Sequence, residues 1–69
     1  MTTKLANIRR ETDLTQKKLA EISGVNLRMI QKYESGDRDI NRAEAETVYR
    51  LAKALNVPME SLIKDLEDN

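Results

Sequence analysis

From Thr15 to Gly36 the chain reads TQKKLAEISGVNLRMIQKYESG. The first half of this stretch has the spacing of a short amphipathic helix. Its apolar and charged side chains fall on opposite sides, with Leu19, Ala20 and Ile22 facing inward and Lys17, Lys18 and Glu21 facing outward. Gly24 can end this helix in a left-handed conformation, and the side chain of Asn26 can cap the next one. The stretch therefore predicts two short helices joined by a tight turn.

The second predicted helix begins at about Leu27 and has an apolar and a polar side. Its apolar side holds Met29, Ile30 and Tyr33. Its polar side holds Leu27, Arg28, Gln31, Lys32 and Ser35. Long basic and amide side chains suit contacts with phosphates and base edges. Two helices around a glycine turn, the second with a polar outer side, predict a helix-turn-helix over about residues 16–35.

The same stretch resembles the repressor and Cro-like (XRE) helix-turn-helix family of DNA-binding transcriptional regulators. The residues that carry the resemblance are Gln16, Ala20, Gly24, Ile30 and Tyr33. It extends from about Leu5 to Leu66, because the segment TVYRLAKALNVPMESL, from Thr47 to Leu62, is similar to the closing helices of the family. The resemblance implies an all-α, five-helix, lambda-repressor-like DNA-binding domain with the helix-turn-helix at helices 2 and 3.

Length and composition narrow the possible functions. With 69 residues, the chain is expected to form a single domain over residues 1–69. It has no cysteine and no histidine, which excludes disulfides, thiol catalysis, zinc sites of the Cys and His kinds and imidazole bases. We therefore expect no enzyme activity, no metal site and no cofactor, and no small-molecule ligand is evident.

The sequence also argues against a membrane protein. No apolar run approaches the roughly 20 residues that a membrane span needs, and the N-terminus MTTKLANIRR lacks the apolar stretch of a signal peptide. The polar side of the last predicted helix is acidic, so anionic lipids would repel it. With the family resemblance, these features predict a cytoplasmic protein of bacterial or phage origin.

The net charge is zero, but the charges are distributed unevenly. Residues 1–42 contain nine lysines and arginines against six acidic residues, and residues 43–69 contain three against six. The basic half includes the predicted helix-turn-helix. This asymmetry is typical of a domain that meets DNA with one side and has an acidic back.

The spacing of apolar residues predicts five helices. Helix 1 covers about Thr3 to Glu11. Helix 2 covers Gln16 to Ser23 after an N-cap at Thr15, and helix 3 covers Leu27 to Ser35 before a left-handed stop at Gly36. The inner stripe of helix 1 is predicted to contain Leu5, Ile8 and Thr12.

Helix 4 is predicted to follow an N-cap at Asn41, with Glu44 completing a capping box, and to end at Leu55. Its inner side contains Ala45, Val48, Leu51, Ala52 and Leu55, and its outer side contains Glu46, Tyr49, Arg50 and Lys53. Pro58 suits the first turn of helix 5. The apolar residues of helix 5 are Met59, Leu62, Ile63 and Leu66.

DNA contacts are assigned to the helix-turn-helix and the loop after it. Arg28 can pair bidentately with guanine, Gln31 can reach a base edge, and Lys32 can reach a base or a phosphate. Leu27 can pack on a thymine methyl group or serve only local packing. The predicted phosphate contacts are Gln16, Lys17, Asn26, Arg38 and Arg42, with Arg10 as a further candidate. For Gln16 the family resemblance implies this role together with bracing of helix 3, and the alternative is a plain helix-start residue. The alternative for the charged residues is an ordinary solvated side chain.

The family resemblance also implies an ion pair between Arg9 in helix 1 and Glu34 near the end of helix 3. Part of the family pairs an arginine with a glutamate at these positions. Such a pair would orient the two helices, and losing one partner would cost more than the pair contributes net. We predict a partly buried structural pair and no DNA contact by either residue.

Four residues depart from the family's pattern, and the two acidic ones among them predict weak phosphate binding by one subunit. Leu27 stands where the family more often has a polar residue. Lys18 stands where helix 2 often has a capping acid, and Asp37 and Asp39 lie in a loop that is frequently basic. A homodimer would compensate by presenting two recognition helices about 34 Å apart to a near-palindromic operator. Helix 5 and the outer side of helix 4 are the predicted interface, with Tyr49, Met59, Leu62 and Leu66. The alternative for the last three is a place in the core.

Two functions remain open. The first is a sequence-specific, double-stranded-DNA-binding transcriptional regulator, a repressor that reads the major groove with helix 3. The alternative is a helix-turn-helix-fold protein-interaction module, such as an antitoxin-like or anti-repressor partner, with weak or no DNA binding. The zero net charge, Leu27 and the acidic loop keep the alternative open.

Overall fold

Four α-helices and two single turns of 3₁₀ helix make up the secondary structure of residues 3–63, which are the residues described by the computed structural model. The α-helices are α1 (Lys4–Glu11), α2 (Gln16–Ser23), α3 (Leu27–Ser35) and α4 (Ala45–Leu55). The 3₁₀ turns are Ile40–Arg42 and Met59–Ser61. Residues 3–63 contain no β-strand, so this part of the chain is all-α, as predicted.

The first three helices begin and end at residues suited to those positions. The side chains of Thr3, Thr15 and Asn26 each accept a hydrogen bond from a backbone N–H in the first turn of the helix that follows. Gly24 and Gly36 end α2 and α3 in the left-handed region, with φ of 75° and 84°. The predicted bounds of helices 2 and 3 are therefore correct, because they depend on local chemistry.

The predicted start of the fourth helix is wrong. Asn41 lies inside the 3₁₀ turn, and its backbone N–H donates to the Asp39 carboxylate at 3.0 Å. Because Asp39 caps this short turn, α4 begins only at Ala45, with Glu44 as its N-cap residue. The Glu44 side chain makes no capping hydrogen bond, so the predicted capping box is absent.

The predicted fifth helix is represented in residues 3–63 by a single 3₁₀ turn. Pro58 precedes this turn, and Leu62 follows it with 1% of its surface exposed. Leu66, the last apolar residue of the predicted pattern, lies outside the described residues. The described part of the chain thus has four α-helices instead of five.

Each of the four α-helices, together with the residue after the last 3₁₀ turn, contributes a fully buried side chain to one core. These residues are Leu5 from α1, Leu19 from α2, Ile30 from α3, Leu51 from α4 and Leu62 after the last turn. The helix-turn-helix packs on α4 chiefly through α2. The contact between α2 and α4 is more extensive than that of either helix with any other helix. The core therefore fixes α2 and α3 relative to each other. The side of α3 opposite Ile30 faces away from the core.

Three predicted core residues are exposed instead. Ile22 is 51% exposed, because α2 faces the core along Leu19 and Ser23, which lie four residues apart. Thr12 is exposed at the end of α1, where its hydroxyl donates to the Arg9 carbonyl at 2.8 Å. Ala45 is exposed because it is the first residue of α4.

Candidate nucleic-acid interface

The polar side of α3 faces away from the core. Ile30 is 0% exposed and Tyr33 is 5% exposed on the inner side, while Arg28 and Gln31 are exposed on the outer side. Lys32 is half-buried. The structure thus places a guanidinium and a carboxamide on the accessible surface of one short helix, where both can donate to base edges.

Leu27 lies at the start of α3 and is half-buried. One part of its side chain is therefore packed against the protein, and the other part is exposed to solvent. The next N–H, that of Arg28, donates to Asn26 Oδ1 at 2.8 Å. Because Asn26 is exposed and uses its oxygen as the cap, its side-chain N–H groups are the part that can meet a phosphate.

The start of α2 carries Gln16 and Lys17. Lys17 is exposed, whereas Gln16 is half-buried. Nε2 of Gln16 donates to Oε1 of Glu34 at 2.9 Å. Gln16 is therefore bonded to the end of α3, in line with the bracing of helix 3 that the family resemblance implies. Glu34 itself was not predicted as the partner of Gln16.

Arg9 and Glu34 form a two-point ion pair between α1 and α3. Arg9 Nε lies 2.6 Å from Glu34 Oε2, and Nη2 lies 3.0 Å from Oε1. Nη1 of Arg9 donates to the Leu14 carbonyl at 2.7 Å. The side chains are only 12% and 6% exposed. The geometry is thus that of a partly buried pair whose polar atoms are satisfied.

The Arg9 guanidinium keeps its positive charge at working pH. Hydrogen bonding to Glu34 raises the pKa of Arg9 above its ordinary value, although burial acts in the opposite direction. An arginine with a raised pKa stays protonated wherever the protein is handled. The Arg9 guanidinium therefore remains a permanent partner for Glu34.

Arg38 and Arg42 line an open groove of about 610 Å³ between α3, the loop after it and the start of α4. Both arginines are exposed. Asp37, Asp39 and Glu44 line the same groove. The groove therefore combines two candidate phosphate contacts with three carboxylates that oppose them.

Arg50 lies beside the turn of the helix-turn-helix and was not among the predicted contacts. It pairs with Glu46 at 2.8 Å, one helical turn earlier on α4. A Cβ atom at Gly24 would lie 3.3 Å from Nη1 of Arg50. The i, i+4 pair is visible in the sequence, but the approach to Gly24 depends on how α4 packs on α2.

Comparison with known proteins agrees with this geometry. A family model described as Helix-turn-helix matches residues 5–62, nearly the whole of the described structure. The chain belongs to the XRE-type helix-turn-helix family. The match covers both helices of the helix-turn-helix and also α4, on which α2 packs.

Two curated proteins are similar in sequence to this helix-turn-helix chain. An uncharacterized transcriptional regulator in the ATPase CF(0) region of Rhodospirillum rubrum is 46% identical over 54 residues, covering 78% of this chain and 47% of the relative. The cryptic phage CTXphi transcriptional repressor RstR of Vibrio cholerae is 36% identical over 66 residues, covering 96% of this chain and 57% of the relative. The chain thus spans about half the length of the curated relatives that it matches.

The described part of this helix-turn-helix protein lacks two other kinds of feature, a membrane-spanning helix and a metal-binding cluster. None of its described helices is long and apolar enough to cross a membrane. Residues 3–63 contain no group of three or more carboxylate, histidine or cysteine residues placed to hold a metal ion.

Proposed function

We propose that this helix-turn-helix protein is a sequence-specific, double-stranded-DNA-binding transcriptional regulator, a repressor that reads the major groove with α3. The observation that carries the proposal is the orientation of α3, which buries Ile30 and exposes Arg28 and Gln31. Membership of the family and the names of the two relatives support it. The family indicates a regulator and not an enzyme.

In this proposal the outer side of α3 reads bases. Arg28 donates to guanine O6 and N7, and Gln31 pairs with a base edge one turn further along. Lys32 contacts a base or a phosphate, and Leu27 packs its exposed part on a thymine methyl group. Exposure of Arg28 and Gln31 supports the first two assignments, and the half-buried state of the other two allows partial contact.

Phosphate contacts surround this reading surface. Gln16, Lys17 and Asn26 lie at the two helix starts of the helix-turn-helix. Arg38 and Arg42 lie on the other side, in the groove at the start of α4. Phosphate contacts on both sides of α3 would fix its position in the major groove.

We also propose that the protein acts as a homodimer in the cytoplasm. Tyr49 is 51% exposed on the outer side of α4, with Lys53 Nζ 5.7 Å from its ring centroid. Met59 is half-buried. Leu62 is 1% exposed and belongs to the core, so its predicted place in an interface is wrong. Tyr49 and Met59 remain the proposed interface residues among those described.

The finer architecture stays a proposal as well. A lambda-repressor-like domain has a fifth helix after the segment that ends at Leu55. The 3₁₀ turn Met59–Ser61 stands at the expected start of that helix. We propose that the fifth helix completes the dimer surface beside Tyr49.

Binding of two duplexes tests the proposed function. The native protein is titrated into a duplex selected for binding and into a random duplex, at several salt concentrations, by fluorescence anisotropy. Arg28→Ala should remove about 1–3 kcal/mol of the preference for the selected duplex. Lys17→Ala should weaken binding to both duplexes equally and reduce the slope of log affinity against log salt by about one. Unchanged affinity and preference in Arg28→Ala would contradict the role of α3.

One observation favours a second function, a protein-interaction module with weak or no DNA binding. Asp37 and Asp39 lie in the same groove as Arg38 and Arg42 and reduce its attraction for phosphate. In that case the native protein would ignore random duplex DNA even at low salt and would bind a protein partner instead. The same titration separates the two functions.

A further inference from the structure

The Glu34 carboxylate connects two side chains with different roles. Its Oε2 accepts from Arg9 Nε at 2.6 Å. Its Oε1 accepts from Arg9 Nη2 at 3.0 Å and from Gln16 Nε2 at 2.9 Å. One carboxylate thus joins α1, the start of α2 and the end of α3 through three charge-assisted hydrogen bonds.

We propose that Glu34 is the positioning residue for Gln16, and that Arg9 acts through Glu34 to hold the Gln16 carboxamide in the orientation that meets a DNA phosphate. The inference rests on the proposed function and extends it to two residues that touch no DNA. Gln16 is the contact, and Arg9 and Glu34 determine how it is presented.

The orientation of the carboxamide follows from the chemistry of its neighbour. An ionised carboxylate only accepts hydrogen bonds, so it faces Nε2 of Gln16 and repels Oε1. Nε2 carries two hydrogens. One is used by Glu34, and the second is left as the donor for a phosphate oxygen. Because Glu34 is 6% exposed, water competes little for the bond that sets this orientation.

Arg9 makes this arrangement compatible with a nearby phosphate. An unpaired carboxylate at the start of α2 would repel DNA. The guanidinium neutralises Glu34 with two parallel hydrogen bonds and is itself fixed by the Leu14 carbonyl at 2.7 Å. The start of α2 therefore presents a fixed donor with no net negative charge beside it.

A double-mutant cycle on DNA affinity tests the proposal. The ion pair is replaced as a unit, Arg9→Met with Glu34→Leu, because apolar side chains of similar size can substitute for such a pair. The replacement is made with Gln16 present and with Gln16→Met. We expect it to weaken binding to the selected duplex about three- to tenfold when Gln16 is present, the usual cost of ordering one long side chain. With Gln16→Met we expect a change of less than about twofold.

Lys17→Met is the matched control, because Lys17 is the next residue and is exposed. In that background the paired replacement should weaken binding by the same factor as in the native protein. Equal losses in the Gln16→Met and native backgrounds would overturn the proposal, since the pair would then act only through the fold. An unchanged affinity in Gln16→Met alone would also overturn it. Absence of any duplex binding by the native protein would instead contradict the proposed function.

A measurement on the native protein covers the case in which the paired replacement does not fold. The two side-chain N–H protons of Gln16 are assigned by NMR from their loss in Gln16→Met. In the free protein they should have separate shifts, with one protected by its bond to Glu34. Addition of the selected duplex should shift chiefly the other proton. Two protons that are equally exposed to exchange in the free protein would overturn the proposed orientation.

Discussion

At the scale of single residues, three ion pairs with different surroundings occur in residues 3–63. Arg9 and Glu34 are 12% and 6% exposed. The Lys18–Glu21 and Arg50–Glu46 pairs have exposed side chains, at 60% and 60% for the first and 48% and 70% for the second. Exposed pairs contribute little because water and salt screen them. Only Arg9–Glu34 is placed to matter strongly for the fold.

Loss of one partner of the buried pair is predicted to destabilise the protein. Arg9→Met leaves the Glu34 carboxylate with only its Gln16 hydrogen bond from a side chain, which should lower the free energy of unfolding by about 3 kcal/mol. Replacing both partners with apolar residues should recover most of that loss. Urea denaturation followed by circular dichroism measures both.

The control is Lys18→Met, which breaks an exposed pair of 3.6 Å. Its effect on the free energy of unfolding should be below about 1 kcal/mol. A similar loss in Arg9→Met and Lys18→Met would show that burial does not set the strength of the Arg9–Glu34 pair.

The sequence predicted individual residues unevenly. Arg9 and Glu34 lie 25 residues apart, so no local spacing links them, and the prediction came from the family resemblance. The family resemblance implies that Gln16 braces helix 3, but nothing in the sequence identified Glu34 as its partner. That choice depends on which residue at the end of α3 lies beside the start of α2. The sequence pattern allowed Leu62 to lie either in a dimer interface or in the core. The packing of the folded chain places it in the core.

At the scale of elements, two left-handed glycines define the ends of α2 and α3. Gly24 has a φ of 75° and Gly36 a φ of 84°. Side chains with a Cβ rarely adopt this conformation. The surroundings differ, because Arg50 Nη1 would lie 3.3 Å from a Cβ at Gly24 whereas no atom lies within 4 Å of one at Gly36.

Alanine at either glycine is predicted to destabilise the protein. Gly36→Ala should lower the free energy of unfolding by about 1 kcal/mol, the backbone cost of a left-handed alanine. Gly24→Ala should lower it by that amount and also displace the Arg50 guanidinium from the turn. Thermal unfolding of both variants and of Arg50→Ala measures this. A stabilising effect of either alanine would contradict the left-handed conformation.

Helix ends were predicted well where one residue has no competitor. Thr15, Gly24, Asn26 and Gly36 occupy their predicted positions. The start of α4 was missed because Asp39, Asn41 and Glu44 are all possible caps within six residues, and Asp39 caps a 3₁₀ turn first. The inner side of α2 was misjudged at Ile22 because its burial depends on where α4 crosses α2, which local periodicity does not show.

At the scale of the whole molecule, charge and size favour binding by more than one copy. The chain has no net charge, and carboxylates share the groove of Arg38 and Arg42. With about three to five phosphates neutralised per subunit, the slope of log affinity against log salt should be about −3 to −5 per subunit. A second copy would double the number of phosphate contacts without any change in the reading helix.

The proposed dimer predicts different effects for two equally exposed apolar residues. Tyr49 on α4 and Ile22 on α2 are each 51% exposed. Tyr49→Gln should weaken two-copy binding to a full operator about tenfold, the loss expected of a central interface tyrosine. Ile22→Gln should leave it within about twofold. Native mass spectrometry of the DNA complexes measures the stoichiometry. Equal effects of the two substitutions would exclude the outer side of α4 as the interface.

Selection of bound sequences from a random duplex library tests the central proposal most directly. The native protein is predicted to enrich a near-palindromic sequence with half-sites about one helical turn apart, and Arg28→Ala is predicted to lose preference at one position in each half-site. Bound sequences with the same composition as the input library, even at low salt, would contradict sequence-specific DNA binding by α3.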